Sequence, residues 1–353
     1  MNPKIRVASI GLGGVAVRRN LPYMKQSPDY EIVGVIDRNA GKAEQIAKQF
    51  GCPFSACADS LEGLPWLKDV DAITVGTGPQ SHYALIKAAL LMGKDVITEK
   101  PFTMTVAEGE ELVRIARERK RILAIVHNFQ FAGSTLKLME DIKQGRLGKI
   151  KAVAARQLSN PRRKLPPWYE ELPLGLFYDE SPHFFYLIGC AAPGHLQFLT
   201  SEVFPSTTGK KTPAAIHIQY KCESRDSGIV PVTIDMNFEA TISEWHLTVF
   251  GEDFLGDVDI FRDIYLRIPN DGLHTTGTVL RTSALATLQH WAQHFTSGIG
   301  HLKGTLVYGA DEVFHRFAAA VRERKEPEGI GPEEALRVLK LQHQAIQDQK
   351  KLF

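Results

Sequence analysis

The sequence predicts a two-domain protein: a doubly wound α/β domain over residues 1–126, then an α+β domain over residues 127–353 with a large, mostly antiparallel open sheet. Three observations carry this. The chain has 353 residues, beyond the usual single-domain range. Its first third alternates short β-rich apolar runs with amphipathic helical patterns, which implies right-handed crossovers and a parallel sheet covered on both faces. After about residue 127, longer strand patterns follow one another with few helices between them, as antiparallel pairing requires.

The elements follow in order. The run 5–10 is short, apolar and stopped by glycine, so it reads as a buried strand. A helical pattern over 14–27 leads to strand 32–36, helix 40–50 and strand 72–75. Helix 81–92, strand 95–98, helix 105–120 and strand 122–126 complete the first domain. Strands are then expected at 150–158, 215–221, 229–240, 245–250 and 254–268, and helices at 282–297, 309–324 and 332–349. Pro332-Glu333-Glu334 is a good helix start, and the break at 325–329 is a solvated turn. Val230, Val232, Ile234, Met236 and Phe238 alternate along one strand and line a single face, which is either a subunit interface or internal core.

Composition excludes several classes. A formal charge of +2 gives no electrostatic case for a nucleic-acid or membrane partner. No apolar run approaches the roughly 20 residues needed to span a bilayer. The N-terminus runs directly into a strand, with no room for a signal peptide. Cys52, Cys57, Cys190 and Cys222 follow no metal spacing and no disulfide framework, so four reduced thiols and a cytoplasmic location are the expectation.

Two motifs carry chemistry. Gly11-Leu12-Gly13-Gly14-Val15-Ala16 lies between the first strand and the first helix, the context of a dinucleotide-binding turn. The first glycine permits the tight turn and the second admits a pyrophosphate, while the third position, Ala16, must be small for helix-on-strand packing. The following helix offers its N-terminal N–H groups to the phosphates. Asp37 ends the second strand, 21 residues past Ala16, where a ribose-binding acid belongs. It is also a candidate helix cap. A carboxylate there favours NAD; Arg38, next in sequence, could bind a 2′-phosphate, so NADP is not excluded. In the second motif, Val96-Ile97-Thr98-Glu99-Lys100-Pro101, a lysine emerges at the carboxyl end of a buried strand that proline then stops.

Together these motifs resemble the glucose–fructose oxidoreductase/inositol dehydrogenase/rhizopine catabolism (Gfo/Idh/MocA) family. The resemblance extends to Thr77-Gly78-Pro79-Gln80-Ser81-His82, similar to that family's turn beside the nicotinamide, and to Asp179-Glu180-Ser181-Pro182-His183, placed like its D-x-x-x-H segment. It implies a Rossmann domain with NAD or NADP, a homodimer or homotetramer, and a catalytic set of Lys100, Asp179 and His183. It also implies cofactor contacts from Thr77, Pro79, His82, Glu99 and Lys100. A helix-start role is the other reading of His82.

The chemistry agrees. Oxidising a secondary alcohol removes a hydroxyl proton while hydride leaves the same carbon, so a base such as His183 is needed at the oxygen. A cationic Lys100 would polarise that oxygen. Asp179 and His183 are i, i+4 on a helix and share a face; Pro182 between them implies the helix's first turn. Asp179 as a helix cap and His183 as a core histidine are the structural alternatives.

The family pattern is broken at Gln130, where arginine is usual, at Tyr186, where aspartate is frequent, and at Ser181, where glycine is frequent, while Asn128 follows it. Asn128, Gln130, Asp179 and His183 are candidate substrate contacts. Arg162, Arg163 and Lys164 beside Trp168 suit an anionic group and a sugar face, or form a solvated charge run. The expected activity is hydride transfer between NAD(P) and a hydroxyl or keto group of a sugar, cyclitol or sugar derivative. The alternatives are an NAD-dependent glycosidase using transient oxidation, and a non-catalytic nucleotide-sensing regulator on the same fold.

Overall fold

The computed structural model describes residues 3–304 and 306–349. The chain forms two compact units: residues up to Asn128 with Ala310–Lys340, and Phe129–Gly309 with the residues from Leu341 onward. A cut at 126/127 therefore separates the first unit from its last segment, residues 310–340.

The first unit is built on six strands: β1 (Ile5–Ile10), β2 (Tyr30–Asp37), β3 (Phe54–Cys57), β4 (Ala72–Val75), β5 (Asp95–Thr98) and β6 (Leu123–Ile125). All neighbours pair in parallel, in the order β3-β2-β1-β4-β5-β6. The apolar runs of β1, β4 and β5 are buried on both faces, as a parallel sheet demands. Helices α1 (Leu21–Gln26), α2 (Ala40–Phe50), α3 (Pro79–Leu91) and α4 (Val106–Arg119) make the crossovers. The strand order reverses between β1 and β4, so the crevice for a ligand opens at their carboxyl ends.

In the second unit, α5 (Gly133–Lys143), β7 (Ile150–Leu158) and α6 (Leu176–Ala191) lead into β8 (His195–Phe204), β9 (Ala215–Ser224), β10 (Gly228–Asn237), β11 (Glu244–Gly251), β12 (Phe254–Asp259) and β13 (Ile264–Pro269). The seven-stranded sheet runs β13-β12-β11-β7-β10-β9-β8 and is antiparallel except for β10 beside β7. The single strand expected over 254–268 is a hairpin of two. Asp259 Oδ1 accepts the Arg262 N–H at 3.0 Å and Asp263 takes φ +52°, which turns the chain. Strands β3 and β8 and helix α5 have no counterpart in the sequence pattern, and α6 extends the helix expected at Asp179–His183 in both directions. The apolar stripe Val230, Val232, Ile234, Met236 and Phe238 is buried, so it is internal core; α6 packs against β7, β10 and β11.

A long helix follows, α7 (Thr276–Lys303), then α8 (Ala310–Glu323) and α9 (Pro332–Gln349). Ala335, Leu336 and Leu339 join the first unit's core. Gly109 of α4 admits them: a Cβ there would lie 3.1 Å from Leu339 Cδ2. Arg324 grips the buried Asp95 carboxylate with contacts of 2.9 and 2.8 Å. Among the described residues no helix is long and apolar enough to cross a membrane.

Candidate active site

The glycine turn is shaped by contact between loops. Gly11 has φ +84°, and a Cβ on it would stand 2.5 Å from Thr77 Cγ2. Only glycine lets the turns after β1 and β4 touch in this way. A Cβ on Gly76 would in turn meet Gly11 O at 2.8 Å and the Ala16 methyl at 3.2 Å, which is why position 16 must be small. The helix opens at Gly14 and passes through a π-helical turn at Ala16–Asn20. Gly13, Gly14 and Val15 leave a cradle there: a Cβ on Gly13 would come no closer than 3.5 Å to Gly76 O, and one on Gly14 would meet only Arg18, 2.7 Å from its Nη2. The helix's first N–H groups have no helical acceptors. This arrangement fits a dinucleotide's pyrophosphate, and it adds Arg18, a cation that the glycine pattern does not reveal.

Asp37 is fixed by main chain. Its Oδ2 accepts the Leu12 N–H at 2.9 Å, and its Oδ1 accepts the Asn39 N–H at 3.0 Å. It does not cap α2; Asn39 does, accepting from the Lys42 N–H at 3.1 Å. Each carboxylate oxygen keeps lone-pair capacity for a ribose hydroxyl. Lys42 Nζ stands 3.6 Å from Oδ2, and Arg38 beside it is exposed, so two cations flank this acid.

The expectation of a cofactor contact from His82 is corrected. Its ring is fully buried, with Nδ1 2.8 Å from Pro101 O and Nε2 3.1 Å from Thr77 O. Burial lowers its pKa, partly offset by those carbonyls. It ties the Thr77 turn to the Lys100–Pro101 turn. Pro79, also buried, opens α3, and Ser81 Oγ lies 2.7 Å from Thr77 Oγ1.

Lys100 follows β5 and is partly exposed; its peptide to Pro101 is cis. The Glu99 N–H donates to Val75 O at 2.9 Å, and Glu99 Oε1 accepts from Asn20 Nδ2 at 2.9 Å. The lysine therefore stands on a turn pinned from β4, from the glycine-turn helix and, through Pro101, from His82. Asn128, buried, closes the first unit just beyond β6.

In the second unit, Asp179 and His183 lie one turn apart on α6, each under a tenth exposed. Asp179 is inside the helix, whose N-cap is Gly175. Pro182 is also interior, not in a first turn. The carbonyl it leaves without a helical donor, Tyr178 O, accepts from Gln342 Nε2 at 2.7 Å, so the helix continues through the proline. Tyr186, which stands where aspartate is frequent, puts its hydroxyl 2.7 Å from His183 Nδ1 and accepts the Phe129 N–H at 3.0 Å. The His183 ring also packs edge-on against Phe129, at 4.7 Å between centroids, and near Trp245 at 5.4 Å.

The arginine loop divides. Arg163 is engaged within the protein: its guanidinium donates to the buried Glu180 at 2.8 Å and to Ser159 Oγ at 2.9 Å. Glu180 also accepts from Gln157 Nε2. Arg162 and Lys164 are exposed. Trp168 packs on Tyr169 at 4.1 Å rather than standing alone. Burial, with the charges of Asp179 and Glu180, raises the Tyr169 phenol. Gln130 is buried, with Oε1 3.5 Å from Cys190 Sγ.

Residues 5–127 match the model of an oxidoreductase family with an NAD-binding Rossmann fold. That match, named for the Gfo/Idh/MocA proteins, lies within the first unit. Two curated relatives are a dTDP-3,4-didehydro-2,6-dideoxy-alpha-D-glucose 3-reductase of Streptomyces antibioticus and the D-glucoside 3-dehydrogenase of Escherichia coli (strain K12). The first is 30% identical over 158 residues, covering 44% of this chain and 46% of that protein. The second is 31% identical over 164 residues, covering 46% of each. The chain thus spans under half the length of these curated relatives. GenD2 from gentamicin A biosynthesis, solved in complex with NAD, is similar in fold. Its TM-score is 0.77 at 16% identity, covering 100% of this chain and 96% of that one.

Proposed function

We propose that the protein is an NAD(P)-dependent dehydrogenase or reductase acting on a hydroxyl or keto group of a sugar, cyclitol or sugar derivative. One observation carries this: the carboxyl ends of β1, β2, β4 and β5 bring together the Gly11–Ala16 turn, Asp37, the Thr77 turn and Lys100 in the first unit. The relatives' printed activities, on sugar nucleotides and glucosides, support the substrate class.

The nicotinamide dinucleotide, when bound, supplies or accepts the hydride. The Gly13–Val15 cradle and Arg18 hold its pyrophosphate, and Asp37 binds the adenosine ribose. Asp37 favours NAD, while Arg38 and Lys42 admit NADP. Lys100 polarises the reacting oxygen with its ammonium, and His183 exchanges the oxygen's proton through Nε2. Asp179 supports His183 from the same helix face. Asn128, Gln130, Arg162 and Trp168 are proposed substrate contacts. Tyr186 serves His183 in either protonation state, because a hydroxyl both donates to and accepts from Nδ1. The chain works as a homo-oligomer.

Titration with NADH and NADPH, followed by energy transfer from the four tryptophans, should give saturable binding with NADH preferred. Coupled assays on sugars, cyclitols and their keto forms should then show net NADH formation or consumption. Glycoside cleavage with no net NADH would replace this reading with the glycosidase. Cofactor binding without turnover on any of these substrates would replace it with the regulator.

A further inference from the structure

Helix α7 is attached to its own unit by amides, and its apolar side is left uncovered. It lies along β13, the edge strand of the sheet. Gln289 accepts the Arg267 N–H at 2.9 Å and donates to Arg267 O at 3.0 Å. One turn on, Gln293 accepts the Tyr265 N–H at 3.0 Å and donates to Tyr265 O. Tyr265 and Arg267 are alternate residues of the edge, so the two glutamines satisfy the backbone groups that an open edge would expose.

The side turned away from these glutamines carries Leu280, Leu288, Trp291, Phe295, Ile299 and Leu302. From Leu288 onward they recur at spacings of three and four, one stripe of a helix. Each is between 53% and 90% exposed, and no residue of α7 is buried. At ordinary side-chain areas the six expose on the order of 750 Å², more than the roughly 300–600 Å² of the largest apolar patch on a typical monomer.

We propose that this stripe is the interface with a second copy of the chain, α7 packing on α7 about a two-fold axis. The inference names the surface behind the homo-oligomer reading given above and rests on it. The exposed area matches the roughly 800 Å² that each partner gives to a standard interface. A two-fold axis brings a stripe onto itself, so a surface with no charge in its centre meets another with none. Residues 276–303 contain no Asp or Glu, and their only Lys and Arg are Arg281 and Lys303, near the two ends. Ridges spaced three and four apart interdigitate at shallow crossing angles. Trp291 and Phe295, whose rings pack at 5.7 Å, supply the aromatic centre that dominates binding energy in such interfaces. A membrane surface fits less well: interfacial helices carry Lys and Arg along the polar face, and here that face is glutamine, threonine, serine and histidine, engaged in part by β13.

Sedimentation velocity over a dilution series tests this on the full-length protein. Wild type should sediment at an even multiple of the 39.3 kDa chain mass. The double variant Trp291→Glu/Phe295→Glu should drop to half that multiple or to one chain while still binding NADH. A wild type at the single-chain mass would remove both the oligomer reading and the interface. An oligomer that survives the double variant would keep the oligomer reading and overturn α7 as its surface. Hydrogen exchange on wild type needs no variant: amides of residues 276–303 should slow at least tenfold on concentration, and an unchanged rate overturns the proposal. So does pelleting of a monomeric wild type with phosphatidylcholine/phosphatidylglycerol vesicles.

Discussion

The first unit holds its candidate groups with main chain, and the second holds its own with side chains. Asp37 is fixed by two backbone N–H groups, Glu99 by Val75 O as well as Asn20, and His82 by two backbone carbonyls. In the second unit, His183 meets a phenol, Arg163 a carboxylate and a hydroxyl, and the Tyr178 carbonyl an amide from far along the chain. Main-chain sites demand glycine, proline and small residues at fixed positions, and such demands survive as motifs. Side-chain networks can be assembled from many residue sets. This accounts for a family match confined to residues 5–127 while the fold likeness extends across the chain.

The contrast makes graded predictions. Lys100→Ala should lower kcat/KM by about 10²–10³-fold and leave NADH affinity within a few-fold of wild type. Equal turnover by the variant would remove Lys100 from the chemistry. Gly11→Ala should destabilise the protein by more than ~2 kcal/mol, since it forces a side chain into φ +84° against Thr77. It should also weaken NADH binding at least tenfold. Unchanged melting and binding would show that the two turns yield.

The units should also respond to pH with opposite sign. Burial pushes His127, in the first unit, down to about 3, and lowers His82 as well. Their unfolded forms take up protons below about 6.5 and the folded forms do not. Stability from His127 therefore falls by about 1.4 kcal/mol per pH unit between 6.5 and 3. In the second unit, burial opposes the charged form of His246, but Asp257 and Asp259 outweigh it and raise its pKa, against a smaller opposing effect of Arg156. Its contribution is complete below the unfolded value and is lost as pH rises through the folded one. Denaturant melts at pH 7 and 5 should show a flatter acid loss in His127→Gln and a steeper one in His246→Gln. Curves parallel to wild type for both would cancel the contrast.

The smallest effect concerns Tyr186. A phenol adds no charge beside His183, whereas a carboxylate would favour the imidazolium. Tyr186→Asp should move the acidic limb of the oxidative pH–rate profile upward by about one unit, with melting changed little. Tyr186→Phe should lower kcat more than it raises KM. A profile that stays in place in the aspartate variant would leave Tyr186 a packing residue.

Most strand and helix positions in the first unit followed from the alternation of apolar runs and amphipathic patterns, because strands buried on both faces must be apolar throughout; the mostly exposed edge strand β3 carried no such signal. Helix α2, strands β1, β4 and β5 and the start of α9 fall where the pattern puts them. The glycine turn and Lys100 were visible for the same reason: backbone geometry admits few residues there. Other features needed the folded chain. His82 looked like a cofactor contact until two carbonyls from separate loops closed on it. Arg163 looked free until Glu180, a helix away, claimed it. Pro182 looked like a first-turn residue because its rescuer, Gln342, lies 160 residues further on. Local preference and burial periodicity act between near neighbours, so they can be read along the chain. The pairing of polar groups brought together from distant segments is decided only when the strands and helices have packed.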